Sequence, residues 1–325
     1  MSTTHHSGVY VFSERQDVSL ELLSVGRLVA AETNSFVASL AIGPNARADA
    51  EERILHGADR VFILRNPRLE RAHADLVAGA LSQAVGRWNP EVIIVGATRS
   101  GIEVAARLAQ GLGVGCASDC LKLQAEDGEL IVEKRYYGGK FVARRVMVAK
   151  PRIVTIPPRR FEAPPRDEGR RGHIEELDVG LRDSEMKVVG TESRAKSGVE
   201  IGKAEIVVSV GRGLKRAEDV AIVRELANTL GAVVGASRPL TAELRWLPVD
   251  VQVGLSGTTV KPKLYIACGI SGQIEHLVGM RGSTVVVAIN TDPNAPIMQE
   301  ADYRVIGDLY EIVPALSRAL RQMRK

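Results

Sequence analysis

The chain has 325 residues, of which 45% are hydrophobic and only 4% aromatic, with 31 glycines; this is long enough for two ordinary domains, and the profile suits nucleotide-binding α/β folds better than all-β sandwiches. Its formal charge of +4 arises from arginines interleaved with acidic residues, without a continuous basic run or interleaved aromatics, so nucleic acid is not the expected partner. The three cysteines, Cys116, Cys120 and Cys268, support neither a disulfide framework nor a zinc site; no apolar run reaches the roughly 18 residues that cross a bilayer, and Met1 to His6 lack signal or transit character, which predicts a reduced, cytoplasmic, soluble protein.

In the first half, Val9 to Phe12, Phe36 to Ile42, Val61 to Leu64 and Val92 to Val95 read as strands, and the segments between them carry helical spacing, as at Leu20, Leu23, Leu28 and Val29. That alternation builds a parallel sheet with helices on its faces, because crossovers are right-handed. Gly57 is the expected C-terminal stop of one helix ahead of the third strand. Gly96-Ala-Thr-Arg-Ser-Gly101 opens a helix over Ile102 to Leu112; the loop could hold an anion, but the favoured reading is a glycine-containing loop that merely turns the chain. From Ala117 to Ile156 the pattern alternates, with Leu121 to Leu123, Leu130 to Val132 and Phe141 to Val148 as strands and Tyr137-Gly-Gly-Lys140 as a turn, which predicts an antiparallel excursion.

Pro157-Pro158, Pro164-Pro165 and the charge-dense Arg166 to Arg171 then break regular structure, and a solvated connector is expected over about residues 157–172. Ile174 to Leu181 and Met186 to Val189 are short strand candidates. The polar run Ser193-Arg-Ala-Lys-Ser-Gly198 reads as the domain boundary, giving domains 1–198 and 199–325.

The second half restarts the α/β rhythm. Glu205 to Val210 is a strand ending in Gly211-Arg-Gly213, followed by a helix from about Arg216 to Leu230 that Gly231 stops. Ala232 to Val234 leads to Gly235-Ala-Ser-Arg238, then come Gln252-Val-Gly-Leu-Ser-Gly257, a strand from Leu264 to Cys268, a strand from Thr284 to Ile289 ending at Asn290, and a last helix from about Leu309. Small-residue loops therefore follow several strands of one sheet, and in open parallel sheets the carboxyl edge is where ligands bind. Gly269, Ser271 and Gly272 form a strand-to-helix junction, and helical spacing resumes at Ile274, Leu277 and Val278. Such a junction presents free N–H groups and the positive end of a helix dipole, which favours a phosphate. Taken singly the signals are modest. Gly211-Arg-Gly213 lacks the third glycine of the dinucleotide fingerprint. Ser237 and Arg238 could only cap a helix or pair with a carboxylate, His276 could be a satisfied helix histidine, and Asp308 reads as the N-cap of the last helix.

Together, however, Val210-Gly-Arg-Gly213, Gly235-Ala-Ser-Arg238, Gln252-Val-Gly254, Leu264 through His276, Ala288-Ile-Asn290 and Asp292-Pro-Asn-Ala-Pro-Ile297 resemble, in order and spacing, the α subunit of electron transfer flavoproteins over about residues 205–320. The resemblance implies a Rossmann-like, subunit-contacting first domain and a flavodoxin-like or DHS-like second domain holding FAD. Carried over by position, Arg212, Ser237, Arg238, Gln252, Val253, Gly254, Leu255, Ser256, Ser271, Gly272, Gln273, Ile274, Glu275, His276, Asn290, Asp308 and Leu309 would line that site. Ser271 and Gly272 suit the pyrophosphate, while Arg238 and His276 are the candidate donors to the charge that builds near flavin N1 and its C2 carbonyl on reduction. Ser256, where the family usually has Thr, keeps a hydroxyl able to bond flavin N5. Leu255 and Glu275 stand where the family commonly has Gln, and Ala242 where it often has an acid; Glu275 is expected to face solvent or a partner.

The resemblance further implies a redox carrier without bond-making chemistry of its own. Its expected partners are a β subunit, an acyl-CoA dehydrogenase-type donor, and a quinone- or ferredoxin-linked acceptor. A second FAD in the β subunit would imply NADH-driven electron bifurcation, and AMP there a simple shuttle. An NAD-dependent enzyme such as a deacylase, or an adenine-nucleotide-sensing module, are the competing expectations, although no zinc quartet or Cys/His pair spaced for nucleophilic attack is present in the sequence.

Overall fold

The computed structural model describes residues 7–70, 73–137, 141–184, 186, 188–190 and 200–323. The chain divides into two compact units, Met1–Thr191 and Glu192–Lys325. The expected boundary motif around residues 193–198 and three of the four residues of the 137–140 turn lie outside the described residues.

The first unit opens with β1 (Val9–Phe12), α1 (Gln16–Glu32), β2 (Val37–Ala41), α2 (Ala46–Leu55), β3 (Arg60–Arg65), α3 (Ala74–Trp88), β4 (Val92–Gly96) and α4 (Arg99–Leu112). It continues through β5 (Cys116–Ala117), β6 (Cys120–Glu126), β7 (Glu129–Tyr136), β8 (Phe141–Met147), β9 (Arg152–Ile156) and β10 (His173–Asp178). Seven strands pair in parallel in the order β10-β3-β2-β1-β4-β9-β5. β1, β2 and β4 are buried along their whole length, because helices cover both faces and an unbroken apolar run satisfies both. Val9 and Val11 accordingly enter one core while Tyr10 and Phe12 enter the other.

The antiparallel excursion is a separate sheet, β6-β7-β8. It ends sooner than its sequence suggests: β9 rejoins the parallel sheet between β4 and β5. Arg152–Ile156 is wholly buried, as a strand within a doubly covered sheet must be, whereas β8 is an edge strand that is exposed along most of its length. The strand expected over Ile174–Leu181 stops at Asp178, and the described residues of 186–189 carry no strand. Gly57 follows α2 with a φ of +112°, the left-handed conformation that lets glycine end a helix. The glycine loop after β4 starts its helix earlier than expected, at Arg99, with Thr98 Oγ1 accepting from Gly101 N at 2.8 Å. Thr98 donates its own proton to Glu14 (2.6 Å), so a carboxylate already stands at that helix start and disfavours an anion there.

The second unit contains β11 (Ile206–Val210), α5 (Val220–Leu230), β12 (Val233–Ala236), β13 (Leu264–Cys268), α6 (Ile274–Met280), β14 (Val285–Asn290), α7 (Pro296–Glu300), β15 (Tyr303–Ile306) and α8 (Leu309–Met323). Its five strands are parallel in the order β12-β11-β13-β14-β15. The chain begins at β11, steps to β12 on one side, then passes back to β13 on the other, so the topological switch point lies between β11 and β13. A single core of aliphatic side chains, among them Val208, Leu226, Ile266, Leu277 and Val313, fixes the helices on the sheet. The expected helix start at Arg216 is a short 3-10 turn, Ala217–Asp219, and the α-helix proper begins at Val220. Edge strand β15 and helix α7 have no counterpart in the sequence reading: one is mostly exposed and the other is five residues long, too little for either periodicity to register.

Candidate functional site

Because all five strands of the second unit run the same way, their carboxyl ends open onto one edge. β11 delivers Gly211-Arg-Gly213, β12 delivers Ser237 and Arg238, β13 delivers Gly269 to Gly272, β14 ends at Asn290, and β15 is followed by Gly307, Asp308 and Leu309. At about 4.8 Å per strand this edge is some 19 Å wide, so a ligand that touches all of these loops must be extended.

Backbone contact builds the middle of the edge. Gly211 N donates to Cys268 O (3.0 Å) and Gly213 N to Gly269 O (3.0 Å). A Cβ on Gly213 would lie 2.7 Å from Gly269 Cα, so the two loops approach closer than any side chain allows. Gly272 has a φ of +83°, and a Cβ there would meet Ile297 N at 2.3 Å. The N–H groups of Ser271, Gly272 and Gln273 have no protein acceptor among the described residues. This cluster of donors ahead of α6 is a concavity suited to a phosphate.

Between β13, β14 and β15 the edge deepens into a cleft of about 340 Å³, lined by Gly213, Lys215, Ser271, Asn290, Asp292 and Asp308 among others. Asn290 holds its wall: Nδ2 donates to Ile270 O (2.8 Å), and Oδ1 accepts from Asp292 N (2.9 Å). Asp308 caps α8 by accepting from Tyr310 N (2.9 Å), and also lines the cleft. Lys215, which sequence reasoning missed, is positioned by Tyr310: its backbone N–H donates to Tyr310 Oη (2.7 Å) and its ammonium lies 5.0 Å from the ring centroid.

At the opposite end of the edge, Ser237 is buried and its backbone N–H donates to Val210 O (2.9 Å). Arg238 is exposed and starts a wide turn, Pro239–Glu243. The loop 252–257 comes beside it. Gly254 adopts a φ of +136° and lies so close to α6 that a Cβ would sit 2.7 Å from Glu275 O; Leu255 N donates to that same carbonyl (2.6 Å). Leu255, Ser256 and Glu275 are exposed, whereas Gln252 and Val253 are buried behind them. Gln252 faces inward, its side chain bonded to Thr241 and Ser256.

His276 is also buried. Its Nε2 shares a hydrogen bond with Tyr265 Oη (2.9 Å), and Nδ1 finds no partner of standard geometry. Burial pushes the imidazole down to about 4, with the Val253 backbone pulling weakly the other way, so the ring is neutral at physiological pH. Tyr265 is wholly buried, and burial likewise pushes its phenol up. The sequence shows His276 on the turn nearest the ligand edge; it does not show that the side chain returns under the sheet to β13. Arg212, Arg238 and Lys215 thus stand as the exposed cations around the edge, with Asp292, Asp308 and Glu275 as its acids.

The donor loop, the glycine cradle and the extended edge fit a dinucleotide with a dianionic middle. Residues 200–281 match the family model of the electron transfer flavoprotein FAD-binding domain, and residues 10–181 match that of the electron transfer flavoprotein domain. The chain is 36% identical to the electron transfer flavoprotein subunit alpha of Thermoanaerobacterium thermosaccharolyticum, over 98% of this chain and 99% of that one. It is 36% identical to the subunit of the same name from Bacillus subtilis, over 95% and 94% of the two chains, and 36% identical to Protein FixB of Azotobacter vinelandii, over 97% and 91%. The second unit carries the match to the family's FAD-binding domain, and the chain belongs to the electron transfer flavoprotein α-subunit family.

Proposed function

We propose that FAD lies along the carboxyl edge of the second unit, its adenosine end in the cleft beside Asn290 and Asp308, its pyrophosphate at Ser271 to Gln273, and its ring system over Arg238 and Ser256. The convergence of five strand ends on one edge, with a set of unengaged N–H groups at its centre, is the observation that carries this reading. When bound, FAD supplies the electron-accepting chemistry. The protein's part is to hold it, to keep water from its inner face, and to set its potential through nearby dipoles and charges. Arg238 supplies a cation, Ser256 a hydroxyl donor, and exposed Leu255 an apolar rim where a polar side chain would attract water.

In this reading the chain pairs with a β subunit. The first unit makes that contact, and the domain break lies near residue 198. The complex works in the cytoplasm, taking electrons from acyl-CoA dehydrogenase-type donors of fatty-acid oxidation and passing them to a quinone- or ferredoxin-linked acceptor. The match to the family's FAD-binding domain supports a carrier, and Cys268, the cysteine nearest the edge in sequence, is wholly buried with its thiol pushed up to about 12 by burial, which disfavours its use as a nucleophile. The test is anaerobic mixing of the heterodimer with an acyl-CoA dehydrogenase and its substrate, watched at the flavin absorption band. Bleaching is the expected outcome. Bleaching by NADH alone would instead favour a bifurcating complex, and no bleaching with either donor would contradict the assigned partners.

A further inference from the structure

Among the described residues that line the cleft, Lys215 is the one cationic side chain, and the other charged members are the carboxylates of Asp292 and Asp308. Both acids are fixed by local bonds: Asp292 Oδ1 accepts from Asn294 N (2.8 Å) and Asp308 Oδ1 from Tyr310 N (2.9 Å). The donor cluster at Ser271 to Gln273 consists of backbone N–H groups and carries no full charge. With those parts alone the cleft would repel the dianionic middle of a dinucleotide.

Lys215 is held in position from its backbone outwards. Leu214 before it is buried, and Gly213 N is bonded to Gly269 O. The Lys215 N–H donates to Tyr310 Oη (2.7 Å), and Tyr310 gives its own proton to Asp219 Oδ2 (2.5 Å), a carboxylate that only accepts. Asp219 takes a further bond from Arg216 N (3.2 Å) and lies 3.8 Å from the Arg216 guanidinium, so it is engaged by Arg216 and Tyr310. The Lys215 ammonium stands 5.0 Å from the Tyr310 ring centroid. A ring face supports the stem and attracts the charge, yet it satisfies none of the three N–H donors of an ammonium in the ordinary way. Those donors have no acceptor among the described residues. We infer that Lys215 is a further cofactor-binding residue, the counter-cation of the FAD diphosphate, presented to the cleft by Tyr310. The ammonium offsets one of the two lining carboxylates and donates to a phosphate oxygen, so it acts on phosphorylated ligands and not on adenosine. The inference rests on the reading that the dinucleotide occupies this cleft, and the test separates the two.

The experiment titrates FAD into the flavin-stripped heterodimer, alone and in the presence of ADP or adenosine; loss of FAD binding to a competitor reports on this site alone, whatever the β subunit holds. In the wild type ADP is expected to compete better than adenosine and to weaken as salt is raised. Lys215→Met, which keeps the stem and its packing on Tyr310, should lower the affinity for FAD and for ADP about tenfold, the worth of one charge-assisted hydrogen bond. The same variant should leave adenosine unchanged and flatten the salt dependence of ADP. Lys215→Arg should restore most of the lost ADP affinity. A Lys215→Met protein with unchanged FAD and ADP affinities would overturn the inference. Equal losses for ADP and adenosine would make Lys215 a wall of the cleft and overturn it too. If neither ADP nor adenosine competes with FAD in the wild type, the placement of the dinucleotide in the cleft is wrong and the inference falls with it.

Discussion

At the scale of single residues, charge and protonation govern the site. Arg238 is exposed in the chain, so the roughly 4 kcal/mol that a cation contributes to an anion at about 4 Å under an effective dielectric near 20 is reduced by solvent. Arg238→Ala should still lower the first reduction potential of the flavin by on the order of 50 mV, taking about 59 mV per 1.4 kcal/mol for one electron; spectroelectrochemical titration measures this, and an unmoved potential would remove Arg238 from the flavin. His276 behaves differently. Its folded-state pKa, about 4, lies below the ordinary value of 6.5, so the unfolded chain takes up a proton first as pH falls. Stability is therefore complete above about pH 6.5 and declines towards pH 4, by on the order of 3 kcal/mol from this group. Denaturant melts across that window should show the decline in the wild type and a shallower one in His276→Asn. Equal slopes would mean that the ring is not held neutral by burial.

At the scale of elements, the loops matter more than the helices they introduce. α6 is seven residues long and its N-cap, Gln273, makes no side-chain cap bond, so the donor cluster at Ser271 to Gln273 depends on Gly272 and its contact with Ile297. Gly272→Ala is expected to cost about 1–3 kcal/mol from its positive φ, more once the clash with Ile297 is added, and to weaken FAD binding at least tenfold; both are read by thermal melting and FAD titration. Gly79, with open space around its Cβ position, is the control: Gly79→Ala in the middle of α3 should stabilise slightly, by up to about 1 kcal/mol. The strands that lead into these loops are legible in the sequence because buried parallel strands must be apolar along their length, as β11 and β13 nearly are. The partner of a strand was not: Arg152–Ile156 and Phe141–Met147 are both β-rich runs, and only three-dimensional closure puts the first between β4 and β5 and the second on an edge. Side-chain direction was equally hidden. Gln252 and His276 both belong to the segments that meet at the ligand edge, yet both turn inward, to Thr241 and to Tyr265, because loop conformation and helix rotation decide that and neither has a periodicity in the sequence.

At the scale of the whole molecule, the two units carry different burdens. The second concentrates its small-residue loops on one sheet edge with a switch point between β11 and β13, as ligand-binding α/β sheets do. The first has the same alternating architecture, but at its best candidate loop the Thr98 hydroxyl is engaged by Glu14. Among the described residues no helix is long and apolar enough to cross a membrane. The FAD-binding match falls on the second unit, where the proposal puts one FAD along the sheet edge. The most direct measurement is the absorption spectrum of the chain co-expressed and purified with its β subunit, with chromatographic quantitation of the nucleotides released on denaturation, for the wild type and for Gly272→Ala. One FAD that is depleted in the variant is the predicted result, with an accompanying AMP marking a simple shuttle and a second, variant-resistant FAD marking a bifurcating complex. A heterodimer without FAD, or one whose FAD content is indifferent to Gly272, would contradict the account.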